Sequence, residues 1–208
     1  RRFGKSYLSA WLLLINAIQS ESKDVFYVGP TFQQAKDIMW GMLKDLGKDL
    51  IVAAHENTAV LTLINGRKIY LKGSDRPDTL RGVGLAYCVL DEYANMKPQV
   101  WEQIIRPTLS DVQGGALFIG TPAGKNHFFD LYNDAFEDDD WEAFQFTSID
   151  NPFIPEKEIK AASKSMSSMS FRQEFEASFE SFSGGIFKEE WFKVDEEPEE
   201  GSYVIAID

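Results

Sequence analysis

The chain has 208 residues, 44% of them hydrophobic and 13% aromatic, enough for one full core with a small appendage and unlike the composition of a disordered chain. Its formal charge of −12 argues against broad electrostatic adhesion of the whole surface to nucleic acid, while leaving local contacts open. No apolar run approaches the roughly 18 residues of a membrane span, no secretory leader is expected, and the single cysteine, Cys88, lies inside an apolar strand where it reads as a small core residue.

The first six residues, Arg1-Arg2-Phe3-Gly4-Lys5-Ser6, read as the back half of a G-x-x-x-x-G-K-[ST] phosphate loop entering a helix. In that pattern backbone N–H groups and the helix N-terminus cradle phosphates, the lysine reaches the β/γ oxygens and the hydroxyl binds Mg²⁺. Gly4, Lys5 and Ser6 occupy those positions, and the first glycine of the pattern, with the strand that delivers it, is expected ahead of residue 1. Taken alone, the three residues also fit a basic stub before an ordinary helix. Apolar residues at helical spacing predict a helix over Tyr7–Gln19. Val25–Val28 reads as a buried strand closed by Gly29-Pro30, and Thr31 as the N-cap of a helix over Phe32–Leu46. Such alternation predicts a parallel, doubly wound α/β sheet.

Asn65-Gly66, between the apolar runs Ala59–Ile64 and Lys68–Leu71, predicts a β-hairpin. Ser74–Gly84 reads as an irregular loop that holds Arg81. Leu85–Leu90 predicts a buried strand ending in Asp91-Glu92, at the edge where open α/β sheets bind ligands. Trp101–Leu109 reads as helix up to Arg106, with Pro107 disturbing it. Ala116–Ile119 predicts a further strand ending in Gly120-Thr121-Pro122, so three polar segments converge on one sheet edge. A helix is expected over Asn126–Phe136 and a strand over Ala143–Thr147. Beyond Pro152, Pro155–Glu180 reads as helix broken near Ser165–Ser170, with a turn at Ser181–Gly185. Asp195–Gly201 reads as a linker and Tyr203–Asp208 as the first strand of another domain. The expected divisions are a core over 1–150, a helical lid and linker over 151–194, and a linker with the start of a second domain over 195–208.

An acidic pair after an apolar strand fits two ordinary surface acids. Coupled to the upstream Gly4-Lys5-Ser6 it acquires a purpose: Asp91 would hold Mg²⁺ through its water shell, opposite Ser6. Glu92 would orient and polarise the water that attacks a γ-phosphate. Thr121 would sense that phosphate, and Arg1, Arg2 and Arg81 are the candidate cations for charge built up in phosphoryl transfer.

Together these segments resemble the large subunits of tailed-phage and prophage terminases. Arg-Arg-Phe-Gly-Lys-Ser is similar to the arginine-bearing Walker A of that family, and Tyr-Val-Gly-Pro-Thr-Phe-Gln-Gln-Ala-Lys at 27–36 to its second strand and following helix. Leu-Arg-Gly at 80–82 before Cys-Val-Leu-Asp-Glu at 88–92 resembles its arginine and Walker B. Phe-Ile-Gly-Thr-Pro-Ala-Gly-Lys-Asn at 118–126 resembles its coupling motif, and Phe-Arg-Gln-Glu-Phe at 171–175 with Gly-Gly-Ile-Phe at 184–187 its lid and nuclease approach.

The resemblance covers nearly the whole chain and implies a P-loop NTPase fold of the additional-strand, catalytic-glutamate type, with a mainly parallel sheet flanked by helices and a small helical lid. It implies ATP and Mg²⁺ as cofactors, with Gly4, Lys5, Ser6 and Arg2 binding ATP and Ser6 and Asp91 holding the metal. Glu92, Arg81 and Arg1 would be catalytic, and Thr121 would couple hydrolysis to movement. Asp208 would be a nuclease metal ligand, active only in a full-length protein. The implied partners are double-stranded DNA, a portal protein, a small terminase subunit and further copies of the chain in a ring, in the cytoplasm of a bacterial host and without a membrane. The family's adenine-contacting segment and the first half of Walker A are absent from these residues. Another P-loop nucleic-acid translocase or helicase, and a non-enzymatic scaffold with a degenerate nucleotide fold, remain as alternatives. Lys97, Lys125 and Lys160 read either as DNA phosphate contacts or as solvated lysines.

Overall fold

A computed structural model describes residues 3–180. Arg1, Arg2, the expected turn at 181–185, the 184–187 segment, the linker and Asp208 lie outside the described residues. In chain order the main elements are α1 (Lys5–Gln19), β1 (Asp24–Gly29), α2 (Phe32–Leu46), β2 (Ile51–His55), β3 (Val60–Leu63), β4 (Lys68–Gly73), β5 (Leu85–Asp91), α3 (Arg106–Leu109), β6 (Gly115–Ile119), α4 (His127–Asp134), α5 (Glu156–Ser165) and α6 (Ser168–Phe175). The strands form one sheet in the order β2-β3-β4-β1-β5-β6. β4, β1, β5 and β6 run parallel, while β2, β3 and β4 form an antiparallel meander on one flank.

β1 and β5 are near-continuous apolar runs because helices cover both faces of the parallel half. Successive side chains point to opposite faces, so Val25, Tyr27 and Val89 pack with Leu13 and Leu14 of α1 and Met39 and Leu43 of α2. Phe26, Val28, Cys88 and Leu90 pack on the other side with Leu80, Ile104, Ile105 and Leu109. Cys88 is fully buried there, and burial pushes its thiol far above the ordinary range. The Thr31 hydroxyl accepts from the Gln34 N–H at 3.2 Å, capping α2 as its position predicts. The Asn65-Gly66 hairpin forms with Gly66 at φ 79, a left-handed conformation that other residues adopt at a cost.

The structure departs from sequence expectation in four places. β2 was not expected: it is a short, alanine-containing edge strand with Val52 63% exposed, so it lacks a clear apolar alternation. The loop over 74–84 contains a 3₁₀ turn, Pro77–Leu80, that seats Leu80 in the second core. Pro107 does not end its helix. The chain stays helical through it, and the winding changes there from a π-helical stretch over Val100–Ile105 to α3, the kind of local adjustment that lets a helix accommodate a residue without an N–H.

Ala143–Thr147 forms no strand. A strand needs a hydrogen-bonding neighbour, and the outer edge of β6 has no strand partner among the described residues. Between that edge and the 138–144 segment runs a groove of about 950 Å³, lined by Ala116, Phe118, Leu131, Trp141 and Phe144. Helical structure resumes with α5 and α6, separated at Met166-Ser167 as the sequence predicts. No helix among the described residues is long and apolar enough to cross a membrane.

Candidate nucleotide site at the sheet edge

The site is assembled from two strand ends, those of β5 and β6, and one helix start, that of α1. α1 begins after Gly4, which sits in the left-handed region at φ 77 and ψ 12. Lys5 and Ser6 form the first turn and are half-buried. β5 ends at Asp91, and the chain turns at once: Glu92 has φ 54 and ψ 44. A non-glycine residue in that region costs on the order of 1–3 kcal/mol and persists only where its surroundings hold it. Here the Glu92 N–H donates to Asp91 Oδ1 at 2.9 Å, which fixes the turn from within.

β6 lies beside β5 with Ile119 opposite Asp91, so Gly120 and Thr121 arrive alongside Glu92. The approach is close. A Cβ on Gly120 would lie 3.2 Å from Glu92 Cα and 3.3 Å from Tyr93 N. Glycine at 120 lets the Thr121 N–H reach Glu92 Oε2 at 3.4 Å. The Gly120 carbonyl accepts from Lys5 Nζ at 3.1 Å. One peptide segment therefore joins the lysine to the glutamate.

Asp91 is 4% exposed, and its second oxygen accepts a hydrogen bond from the buried Tyr27 hydroxyl. Burial pushes the Asp91 carboxyl above the ordinary carboxylate range, against the pull of Tyr27, the Glu92 N–H and the Lys5 charge. Burial, and then the Asp91 charge, push the Tyr27 phenol far up, so it stays a donor. A carboxylate this deeply buried gains from a nearby cation. Asp91 at the end of β5 would offer one carboxylate and Ser6 in the first turn of α1 a hydroxyl, oxygen donors of the type Mg²⁺ takes, and no cluster of three or more His, Cys, Asp or Glu among the described residues forms an all-protein cage.

Next to Lys5 and Thr121 lies a smaller cavity of about 190 Å³, lined also by Phe3, Phe146, Gln173 and Phe179. Phe3 stacks on Phe146 with centroids 5.0 Å apart, which holds the residue before Gly4 against the 143–147 segment. Asn126 caps α4 and donates to Ala94 O at 3.1 Å, while His127 Nε2 lies 3.0 Å from Tyr93 O. Both tie α4 to the turn that follows Glu92. Sequence reading missed Tyr27, Phe146 and His127. Their contacts join residues distant in the chain, and only Asn126 carried a local sign, as a helix cap.

Lys5, Asp91, Glu92 and Thr121 are brought together. Arg81 is not among them: its Nε lies 3.7 Å from Asp78 Oδ1, with 54% and 97% of the two side chains exposed. Lys160 pairs with Glu156 at 2.6 Å, Lys125 lies over the Phe129 ring at 5.9 Å, and Lys97 is exposed.

A family model described as the terminase large subunit, T4likevirus-type, N-terminal, matches residues 1–194. The chain belongs to this family. It is 31% identical over 194 residues to the terminase large subunit of Escherichia phage T5, covering 90% of this chain and 44% of that protein. The chain thus spans under half the length of this relative. Among solved terminases, an arginine mutant of the large terminase ATPase domain of Thermus phage P74-26 superposes with a TM-score of 0.77 at 25% identity, over 86% of each chain. The large terminase of a thermophilic bacteriophage, solved with ADP, superposes with a TM-score of 0.72 at 20% identity, over 86% of this chain and 46% of that one. The fold is accordingly the terminase P-loop fold, a mostly parallel mixed sheet flanked by helices.

Proposed function

We propose that the chain forms the ATPase part of a terminase motor, hydrolysing ATP to drive double-stranded viral DNA into a procapsid. The observation that carries this reading is the chain Lys5–Gly120–Thr121–Glu92, in which a phosphate-loop lysine and an acid at a strand end are tied through one segment of β6. Lys5 binds the β/γ oxygens. Glu92, held by the left-handed turn, orients the attacking water and takes part in its deprotonation. Ser6 and Asp91 would hold Mg²⁺, which would supply positive charge against the phosphates. Gly120-Thr121 touches the Lys5 and Glu92 side chains, so a change in the phosphates is passed to the end of β6, and the turn after Glu92 passes it through Asn126 and His127 to α4. Gly4 and Arg2 complete the ATP contacts, and Arg1 acts in cis and Arg81 in trans on transferred charge. The partners in this reading are DNA, portal protein, small terminase subunit and other copies of the chain. We further place the strand expected ahead of the phosphate loop along the edge of β6 that no described strand covers, a position supported by the adjoining groove.

The test separates binding from chemistry. In the full-length protein Lys5→Ala is expected to weaken ATP binding, whereas Glu92→Gln is expected to leave ATP bound and uncleaved. Hydrolysis at the parental rate by Glu92→Gln would overturn the assignment.

A further inference from the structure

Tyr27 is an anomaly in the core. It is among the largest fully buried side chains of the protein, at 0% exposure, in a strand whose other inward residues are apolar. Phenylalanine would fill the same volume without bringing a hydroxyl that must find a partner. The register explains where the hydroxyl goes. Tyr27 pairs with Val89 on β5. Val89 and Asp91 point to the same face of that strand, the face shared with α1. A tyrosine ring beside Val89 is long enough to carry its hydroxyl two residues along β5, and it donates to Asp91 Oδ2. The other carboxylate oxygen takes the Glu92 N–H. Asp91 is therefore clamped at both oxygens, each of which keeps a further lone pair free.

We propose that Tyr27 is a positioning residue of the metal site, fixing the rotation of the Asp91 carboxylate so that its free lone pairs face the Mg²⁺ and its water shell. This rests on the nucleotide-site reading above. Partners that orient a metal-binding carboxylate typically matter on the order of 10–100-fold in metal affinity or activity when removed. A tyrosine serving only as core filling would contribute to stability and leave metal dependence untouched.

The experiment measures the affinity of the full-length protein for ATP-γ-S by calorimetry, first in EDTA and then across a Mg²⁺ titration, for parental protein and Tyr27→Phe. The expected result is a Mg²⁺ midpoint raised on the order of ten-fold in the variant, with affinity in EDTA unchanged and full binding restored by excess Mg²⁺. A parental response with an unchanged midpoint in Tyr27→Phe overturns the proposal and leaves the nucleotide site standing. Absence of any Mg²⁺ response in the parental protein overturns both. A second measurement avoids substitution altogether. With ¹³C-labelled tyrosine in the parental protein, the Tyr27 Cζ resonance is expected to titrate with the same Mg²⁺ midpoint as nucleotide binding. A resonance that does not move also overturns the proposal.

Discussion

Gly120 illustrates how little space separates a working residue from a displaced one. A methyl group there would press on Glu92 Cα at 3.2 Å and on Tyr93 N at 3.3 Å, both backbone atoms that cannot rotate away. Glu92 would have to shift by a few tenths of an ångström while keeping its left-handed turn. Misplacement on the scale of about 1 Å can cost on the order of 10²-fold in rate, so Gly120→Ala is expected to lower turnover by at least roughly ten-fold and to leave nucleotide binding nearly intact. Single-turnover hydrolysis beside equilibrium binding checks this, and parental turnover would show that Glu92 does not depend on the close approach. At this scale the sequence was legible where chemistry demands a residue type at a set spacing, as for Lys5, Asp91 and Glu92, which the fold brings to one sheet edge. Tyr27 was illegible because its meaning comes from a strand neighbour 64 positions away.

The elements that matched expectation carry their instructions locally. Thr31 caps α2, Asn65-Gly66 turns the hairpin, and the apolar runs of β1 and β5 report burial on both faces. Those that did not match depend on something outside the segment. Ala143–Thr147 has the alternation of a strand, yet no strand among the described residues lies beside it, and β6, with Leu117 and Phe118 only half-buried, has an outer edge that no described strand covers. If the expected upstream strand lies along β6, then in a chain that includes it the amides of residues 115–119 and 143–147 become protected together from hydrogen exchange. Comparing exchange with and without the upstream residues tests this. Unchanged protection at both segments would remove the strand from that position.

At the scale of the proposed ring, Arg81 is the residue whose proposed role, acting in trans, a single chain does not display. Its contact with Asp78 is an exposed pair, worth about 0–1 kcal/mol, so it is easily given up for a better partner. An arginine completing a phosphoryl-transfer site is worth roughly 10³–10⁵ in rate. Mixing Arg81→Ala subunits with Glu92→Gln subunits, each nearly inactive alone, is expected to recover hydrolysis at interfaces that pair an intact Glu92 with a neighbour's intact Arg81. Co-assembled mixtures that recover nothing would confine Arg81 to its own chain or exclude it from catalysis. The charge of −12 points the same way at larger range. In the proposed reading, DNA would have to meet a local patch or an assembled ring, because the summed field of one chain repels it.

The amino-acid sequence by itself determined the class of fold, the order of most strands and helices, and the positions, Lys5, Asp91, Glu92 and Thr121, that the fold brings to one sheet edge. Each of these follows from short-range rules: periodicity, caps, turn residues, and acids or a lysine placed beside an apolar run. Only the tertiary structure decided that Gly120 links Lys5 to Glu92, that Glu92 is held in a left-handed turn, and that Tyr27 clamps Asp91. Those depend on which strands lie side by side and in what register, and register is set by burying two faces of a sheet at once rather than by any local run of residues.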